Sequence, residues 1–228
     1  MSRTKPRSLI LTYVSVFAAL NALADFAPFT PILGVPGASL RFGWVTSPLT
    51  GILLGTGMGG ISCLIAGLVG SFLNQPPVFG PFTPLRPAIS ASVTGMLVHK
   101  NWRVPAITLF LLILVWLLLP VGRDASVVLI FHVVGLVAIL LLRGKIGDFV
   151  MSRTSRRSGL GLFLCAYCGN VSRHLFGNIL LATMQNLQPI YFISATLITL
   201  IEQTTFAIGT MIAGGALLRL GLGRPQQL

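Results

Sequence analysis

Residues 44–73 read WVTSPLTGILLGTGMGGISCLIAGLVGSFL, thirty positions without one Asp, Glu, Lys or Arg. Two apolar runs, 44–54 and 57–73, flank a glycine-rich centre, Gly55-Thr56-Gly57-Met58-Gly59-Gly60. That centre matches G-x-G-x-x-G, but a dinucleotide-binding turn needs a strand before it and a helix after it, inside a βαβ unit. Here it joins two membrane-type segments, so the glycines read as a tight turn. Gly51, Gly55 and Gly59 recur every fourth residue, a small-x-x-x-small ladder that lets helices approach closely.

The same character extends over all 228 residues, of which 54% are hydrophobic and 9% charged. Soluble domains carry roughly 25% charged residues. So few charges cannot cover a water-facing surface, whereas a lipid-facing surface is apolar. The expected fold is all-α: a polytopic integral membrane helical bundle of six to eight transmembrane helices. Apolar segments lie at 9–26, 44–54, 57–73, 87–98, 104–120, 126–142, 159–183 and 190–218. Several fall short of the ~20 residues of a full span. A single domain is expected over 1–228, with 9–218 in the membrane and cytoplasmic tails at 1–8 and 219–228.

The formal net charge is +12. In a soluble protein that balance would suggest nucleic acid. In a membrane protein, basic residues gather in cytoplasmic loops and set the orientation. With the N-terminus inside and alternating crossings, Arg3, Lys5, Arg7, Lys100, Arg103, Arg143, Lys145, Arg153, Arg156, Arg157, Arg219 and Arg224 all fall inside. Only Arg41, Arg86, Arg123 and Arg173 do not. The expected surroundings are therefore the lipid bilayer, with no nucleic-acid partner and both termini cytoplasmic. The basic start and Ala22-Leu23-Ala24 also fit a signal peptide, but the long apolar run and the spans that follow favour a first transmembrane helix. The outer stretches 27–42 and 74–87 are rich in proline, which stiffens a non-helical path, and read as ordered caps. The inner stretch 143–158 reads as a solvated loop facing lipid headgroups.

Cys165 and Cys168 have C-x-x-C spacing, but no second pair completes a zinc site. With Cys63 they read as small core residues. No metal, cofactor or catalytic set is expected: H-E-x-x-H, G-x-S-x-G and the P-loop are all missing from the sequence. The chain does not read as an enzyme. The costly residues are ionisable ones within apolar segments, each worth ~2.5–3.5 kcal/mol against insertion at the bilayer centre. Asn170, His174 and Asn178 are spaced i, i+4, i+8 on one helix face, with Arg173 beside them. Glu202 and Gln203 sit in the last segment, one turn after Thr199. Two readings stand: a structural ion pair between Arg173 and Glu202, or a polar pocket open to the outer side. Arg41 and Arg86 end the two caps. They either snorkel to headgroups or form an anion-recognising pair through their two-pronged guanidinium groups, with Trp44 and Asn74 near enough to stack on a ligand or hydrogen-bond it. His132, Asp25, Arg123 and Asp124, near the outer surface, receive no role. Ala18-x-x-x-Ala22, flanked by Ser15 and Ala19, is a second small-residue ladder, for packing within the chain or for a separate membrane partner.

Leu40-Arg41-Phe42-Gly43-Trp44, Pro48-Leu49-Thr50-Gly51-Ile52-Leu53-Leu54-Gly55, Gly59 and Gly67-Leu68-Val69-Gly70 together resemble the substrate-binding S component of energy-coupling factor (ECF) vitamin transporters. So do Phe17-Ala18-Ala19-Leu20-Asn21-Ala22-Leu23, the region from Asn170 to Asn178, and Ile201-Glu202-Gln203. The resemblance covers 9–98 and 160–218. It implies a plasma-membrane subunit that captures a vitamin-like small molecule at the outer face and works with a transmembrane T component and two cytoplasmic ATPases. It also implies that Ala18 and Ala22 contact the T component and that the loop around Arg41 and Trp44 closes over the ligand. The family has six helices, so the hairpin 104–142 reads as an addition. The excess of arginine over acid near the outer side hints at an anionic group on the ligand. An intramembrane enzyme acting on a lipid or peptide, and a structural scaffold, remain as other classes.

Overall fold

Hydrocarbon offers no hydrogen-bond partner, so a spanning backbone must satisfy its own N–H and C=O groups, which a helix does within one segment. The computed structural model, which describes residues 7–73 and 78–220, is helical throughout its length but for one small hairpin. The helices are α1 (Arg7–Ala24), α2 (Gly43–Leu73), α3 (Leu85–Val98), α4 (Arg103–Leu118), α5 (Pro120–Asp124), α6 (Leu129–Leu142), α7 (Lys145–Val150), α8 (Ser155–Met184) and α9 (Pro189–Arg219). Strands β1 (Pro28–Pro31) and β2 (Ser39–Arg41) pair antiparallel with an irregular register.

Element α2 is two helices joined by a reversal. Gly55 sits at φ 78, ψ −173, a region that essentially only glycine occupies. The arms, 43–54 and 56–73, fold back on each other. Cys63 Sγ lies 3.9 Å from the Ser47 carbonyl, and a Cβ on Gly59 would stand 3.0 Å from Gly51 Cα. In a straight helix, residues eight apart are ~12 Å apart along the axis. Helix α3 closes on the turn, where a Cβ on Gly95 would lie 2.5 Å from the Thr56 backbone nitrogen. The expected tight turn and glycine ladder are both present.

With the arms counted separately and the short α5 and α7 left aside, eight helical segments among the described residues run alternately up and down the bundle. One end gathers Lys100, Arg103, Arg143, Lys145, Arg153, Arg156, Arg157 and Arg219 and is the basic end. An ion pair between Lys100 and Asp148 (2.5 Å) and a hydrogen bond from Arg219 to Ser155 Oγ (2.9 Å) tie elements together there. The opposite end carries the β1–β2 hairpin, α5 and short 3-10 turns. The outer faces of α4, α6 and α9 are apolar, with Leu118, Leu141 and Leu197 at 78%, 75% and 71% exposure. In water such a surface would cost ~25 cal/mol per Å²; against acyl chains it costs nothing.

Helix α1 belongs to the bundle. Asn21, fully inside, donates to Thr50 Oγ1 (2.7 Å) and accepts from Thr46 Oγ1 (2.8 Å), and Ser62 Oγ donates to the Val14 carbonyl (2.9 Å). This packing bears on one expectation. Ala18 and Ala22 are 6% and 7% exposed, so they are covered within the chain, the other reading of that ladder. The face of α1 left open carries Ser8, Thr12, Ser15 and Ala19. Two stretches expected as loops are also more structured. The first cap contains the β-hairpin, turned by Gly34 and Gly37 at φ 80 and 76, with prolines tolerated because both strands are edges. The inner stretch 143–158 contains α7, whose Ile146 and Val150 are an i, i+4 apolar pair buried against the core. Cys63, Cys165 and Cys168 are free and buried, as expected of core residues.

Gly95→Ala is expected to force backbone apart at the turn and to cost about 1–3 kcal/mol, the range for overpacking. Gly57→Ala, at a position with open space around it, is the control and should change the detergent melting temperature little. Equal shifts for both variants would contradict the close approach at the turn.

Candidate functional site

Arg173 lies midway along α8, fully surrounded by protein at 4% exposure. Its Nη1 donates to the Gly43 carbonyl (2.9 Å) and to Ser47 Oγ (3.1 Å), and the guanidinium lies 4.3 Å above the Trp44 ring centroid. All three partners belong to the first arm of α2. The side chain therefore points away from α9. Of the two readings of Arg173 and Glu202, the structural ion pair is not formed: among the described residues the ion pair is Lys100–Asp148.

Arg86, near the start of α3, is 7% exposed and packs its guanidinium 3.5 Å from the Phe79 ring centroid and 5.4 Å from that of Trp44. Gly177 on α8 makes room for it, since a Cβ there would lie 2.9 Å from Arg86 Nε. Trp44 is 1% exposed and stacks on Phe206 of α9 at 5.7 Å with an 18° interplanar angle. Its ring centroid lies 4.3 Å from the Arg173 guanidinium and 5.4 Å from that of Arg86, and a π-face attracts both. Arg41, at the end of β2, donates to the Asp25 carbonyl oxygen at 2.6 Å. The Asp25 carboxylate packs directly against Gly43, where any side chain would displace it.

These groups border a cavity of about 140 Å³ roofed by the β1–β2 cap and lined by Asp25, Arg41, Trp44, Phe79, Arg86 and Arg173. A second cavity of about 60 Å³ lies beside it, lined by Arg86, His174, Asn178, Glu202, Tyr191 and neighbours. Phe79, Arg86 and Ile32 form the wall between them. Nε of Arg86 and Nε of Arg173 are both buried without a hydrogen-bond partner. Such an orphan costs about 1–3 kcal/mol, more when the group is charged.

Below the cavities the polar stripe of α8 meets α3 and α6. Ser90 Oγ donates to Asn170 Oδ1 (3.2 Å), leaving Asn170 Nδ2 unpaired. Both polar ends of Gln203 are also unpaired at 0% exposure. His132, expected near the surface and without a role, is completely buried and meets His174 at 3.2 Å, Nε2 to Nδ1. The Val128 carbonyl, 2.9 Å from His132 Nδ1, fixes a proton on that nitrogen. His174 Nδ1 also lies 3.4 Å from Asn178 Nδ2, so two neighbours share that ring nitrogen.

Of the expected site residues, Arg41, Trp44, Arg86 and Arg173 share the first cavity, and Arg86, His174, Asn178 and Glu202 share the second. Asn170 and Gln203 lie outside both linings, and Asn74 lies outside the described residues. Sequence reasoning missed Asp25, Ser47 and Phe79. Asp25 carried a signal: it is one of four acids in the chain and directly precedes the cap that bears Arg41. Ser47 and Phe79 carried none.

No family model matches the chain. An uncharacterized protein of Methanocaldococcus jannaschii is 26% identical over 181 residues, 78% of this chain and 60% of that protein. The chain thus spans about 60% of its relative's length. Among solved structures, the S-component for biotin from an ECF-type ABC transporter is similar in fold, with a TM-score of 0.60 at 16% identity. The likeness covers 100% of both chains, so it takes in residues 104–142, expected as an addition to that pattern.

Because Arg173 and Glu202 do not pair and line different cavities, their effects on stability should be independent. Arg173→Met and Glu202→Gln, separately and together, are expected to add within ~0.5 kcal/mol in mixed-micelle unfolding. A coupling of several times that size would restore the ion pair.

Proposed function

We propose that this chain is the membrane-embedded substrate-binding subunit of an ATP-driven, ECF-type uptake system, and that it captures a small vitamin-like molecule carrying an anionic group. The carrying observation is that Arg41, Arg86 and Arg173 line one cavity with Asp25 as its acid, and that Nε of Arg86 and Nε of Arg173 are buried without a hydrogen-bond partner. Three arginines and one acid surround that space, and an anion is the group that would satisfy them. A carboxylate suits the two-pronged geometry of a guanidinium. The indole of Trp44, sandwiched between cations and Phe206, supplies a flat wall for a ring. The fold likeness to a biotin-binding S component supports the class, and biotin itself carries a carboxylate.

Binding here needs no chemistry. The chain holds its ligand at the end opposite the basic residues. By the positive-inside rule the basic end faces the cytoplasm, which puts the cavity at the outer face of the plasma membrane and both ends of the described chain inside. Energy comes from partners: a transmembrane T component and two cytoplasmic ATPases. With Ala18 and Ala22 turned inward, the contact surface on α1 is the Ser8, Thr12, Ser15 and Ala19 face, where small side chains allow close helix approach.

Denaturing extraction of the detergent-purified protein, followed by mass spectrometry, should release a stoichiometric acid of low molecular mass. Arg86→Gln and Arg173→Gln are each expected to weaken its binding by at least tenfold, the worth of about 1.5–3 kcal/mol for a charged hydrogen bond, while the proteins remain folded. A folded, empty protein that binds no organic acid, or arginine variants that bind as well as the parent, would sink this reading.

A further inference from the structure

At the basic end, the start of α8 and the last turns of α9 diverge around a groove of about 1100 Å³. Its rim carries Arg153, Arg156 and Arg219, all exposed. Ser155 orients one of them, accepting a hydrogen bond from Arg219 Nη2 at 2.9 Å. Among the described residues, no acidic one lines the groove. The acid nearest in sequence, Asp148, is engaged by Lys100. Three cations therefore converge on one opening with nothing to neutralise them.

The floor is of a different kind. Gly159 and Gly215 keep it open, and Leu160 and Ile212, 48% and 64% exposed, continue it onto the lipid-facing flank of α8 and α9. A free inorganic anion has no use for an apolar floor. An acidic protein segment has no reason to extend along a surface that faces acyl chains. A phosphate head with hydrocarbon attached matches both parts, and charge complementarity selects an anionic head over a zwitterionic one.

We propose that this groove binds an anionic phospholipid, with the phosphate held by Arg153, Arg156 and Arg219 and the upper acyl chain laid over Gly159, Gly215 and Ile212. The site is separate from the cavity at the other end and does not depend on what that cavity holds. It would anchor the register of α9 against α8 at the membrane surface.

The test is native mass spectrometry of the delipidated full chain titrated with palmitoyl-oleoyl phosphatidylglycerol or with phosphatidylcholine of the same chains. Retention of phosphatidylglycerol should exceed that of phosphatidylcholine, and the preference should fall roughly fivefold for each arginine replaced along the series R153Q, R156Q, R219Q. Gly215→Leu, which fills the floor, should reduce retention of both lipids. Glycerol phosphate, the head without chains, should not displace the lipid at equal concentration. A preference that survives the triple arginine variant would overturn the site as ordinary annular lipid. Displacement by glycerol phosphate would make it a site for soluble anions instead. Unchanged lipid retention with loss of an acidic protein partner in the triple variant would assign the face to protein docking.

Discussion

The chain can reverse at Gly55 only because Gly51 and Gly59 have no side chains to hold the two arms of α2 apart. A Cβ on Gly59 would already lie 3.0 Å from Gly51 Cα, so nothing larger than hydrogen fits the crossing. That contact sets the position of the first arm, and the first arm presents Gly43, Trp44 and Ser47 to α8. Arg173 is anchored by those three residues. Helix α3 is in turn seated on the reversal through Gly95, and it carries Arg86 to 5.4 Å from the Trp44 ring. The charged cavity is thus a consequence of backbone packing at the far end of the same hairpin. Without the hydrophobic effect to drive helices together in lipid, such close van der Waals contact is the main available glue.

Holding two guanidinium groups inside this structure is expensive, because burial removes their hydration and they repel each other. Four things offset that cost here: the Gly43 carbonyl and Ser47 hydroxyl on Arg173, the ring faces of Trp44 and Phe79, and the single carboxylate of Asp25. None of them is a full counter-charge for each arginine. Backbone carbonyls and aromatic faces stabilise a cation without neutralising it, so the local charge stays positive. A structural ion-pair network would have ended with its charges matched. This one ends with a deficit of negative charge beside an enclosed space, which is the arrangement expected where a ligand completes the balance.

The spans and the turn were legible because both rest on local rules. Apolar runs of helical length, a proline-rich cap and a glycine ladder each state their meaning within a few residues. Arg173 could be singled out because charge inside an apolar segment is costly wherever it points, and Arg41 and Arg86, with Trp44 beside them, because they end the outer caps against the positive-inside pattern. Its direction was not legible. Arg173 has Glu202 as a plausible acid in the next helix, yet its rotation about the α8 axis turns it onto α2, and rotation is set by tertiary packing. The same limit explains α1: Ala18–Ala22 and Ser15–Ala19 are both i, i+4 pairs of small residues, and periodicity alone cannot say which pair faces inward. His132 was misplaced because it stands three residues into α6, near an end in sequence terms but covered by α8 in space. The strands of the first cap were hidden by their prolines, which argue against strand except at edges.

Size adds a constraint that charge does not. Pockets that bury a small organic ligand usually measure roughly 300–1,000 Å³, and the two cavities here measure about 140 and 60 Å³. Neither holds a vitamin-sized molecule alone. They are kept apart by Ile32 of the cap, Phe79 and Arg86. Of these, Arg86 is the long, flexible side chain, and its Nε has no hydrogen bond to hold it in place. Ile32 belongs to the turn of the β1–β2 hairpin, where a Cβ on Gly37 (φ 76) would meet nothing within 4 Å. Joining the cavities therefore asks for movement in the least anchored parts of the site, while Trp44 and Arg173, fixed by the α2 hairpin, stay where they are. On the proposed reading, a ligand that draws Arg86 onto its anionic group would open the space it then occupies, and the hairpin above would close over it.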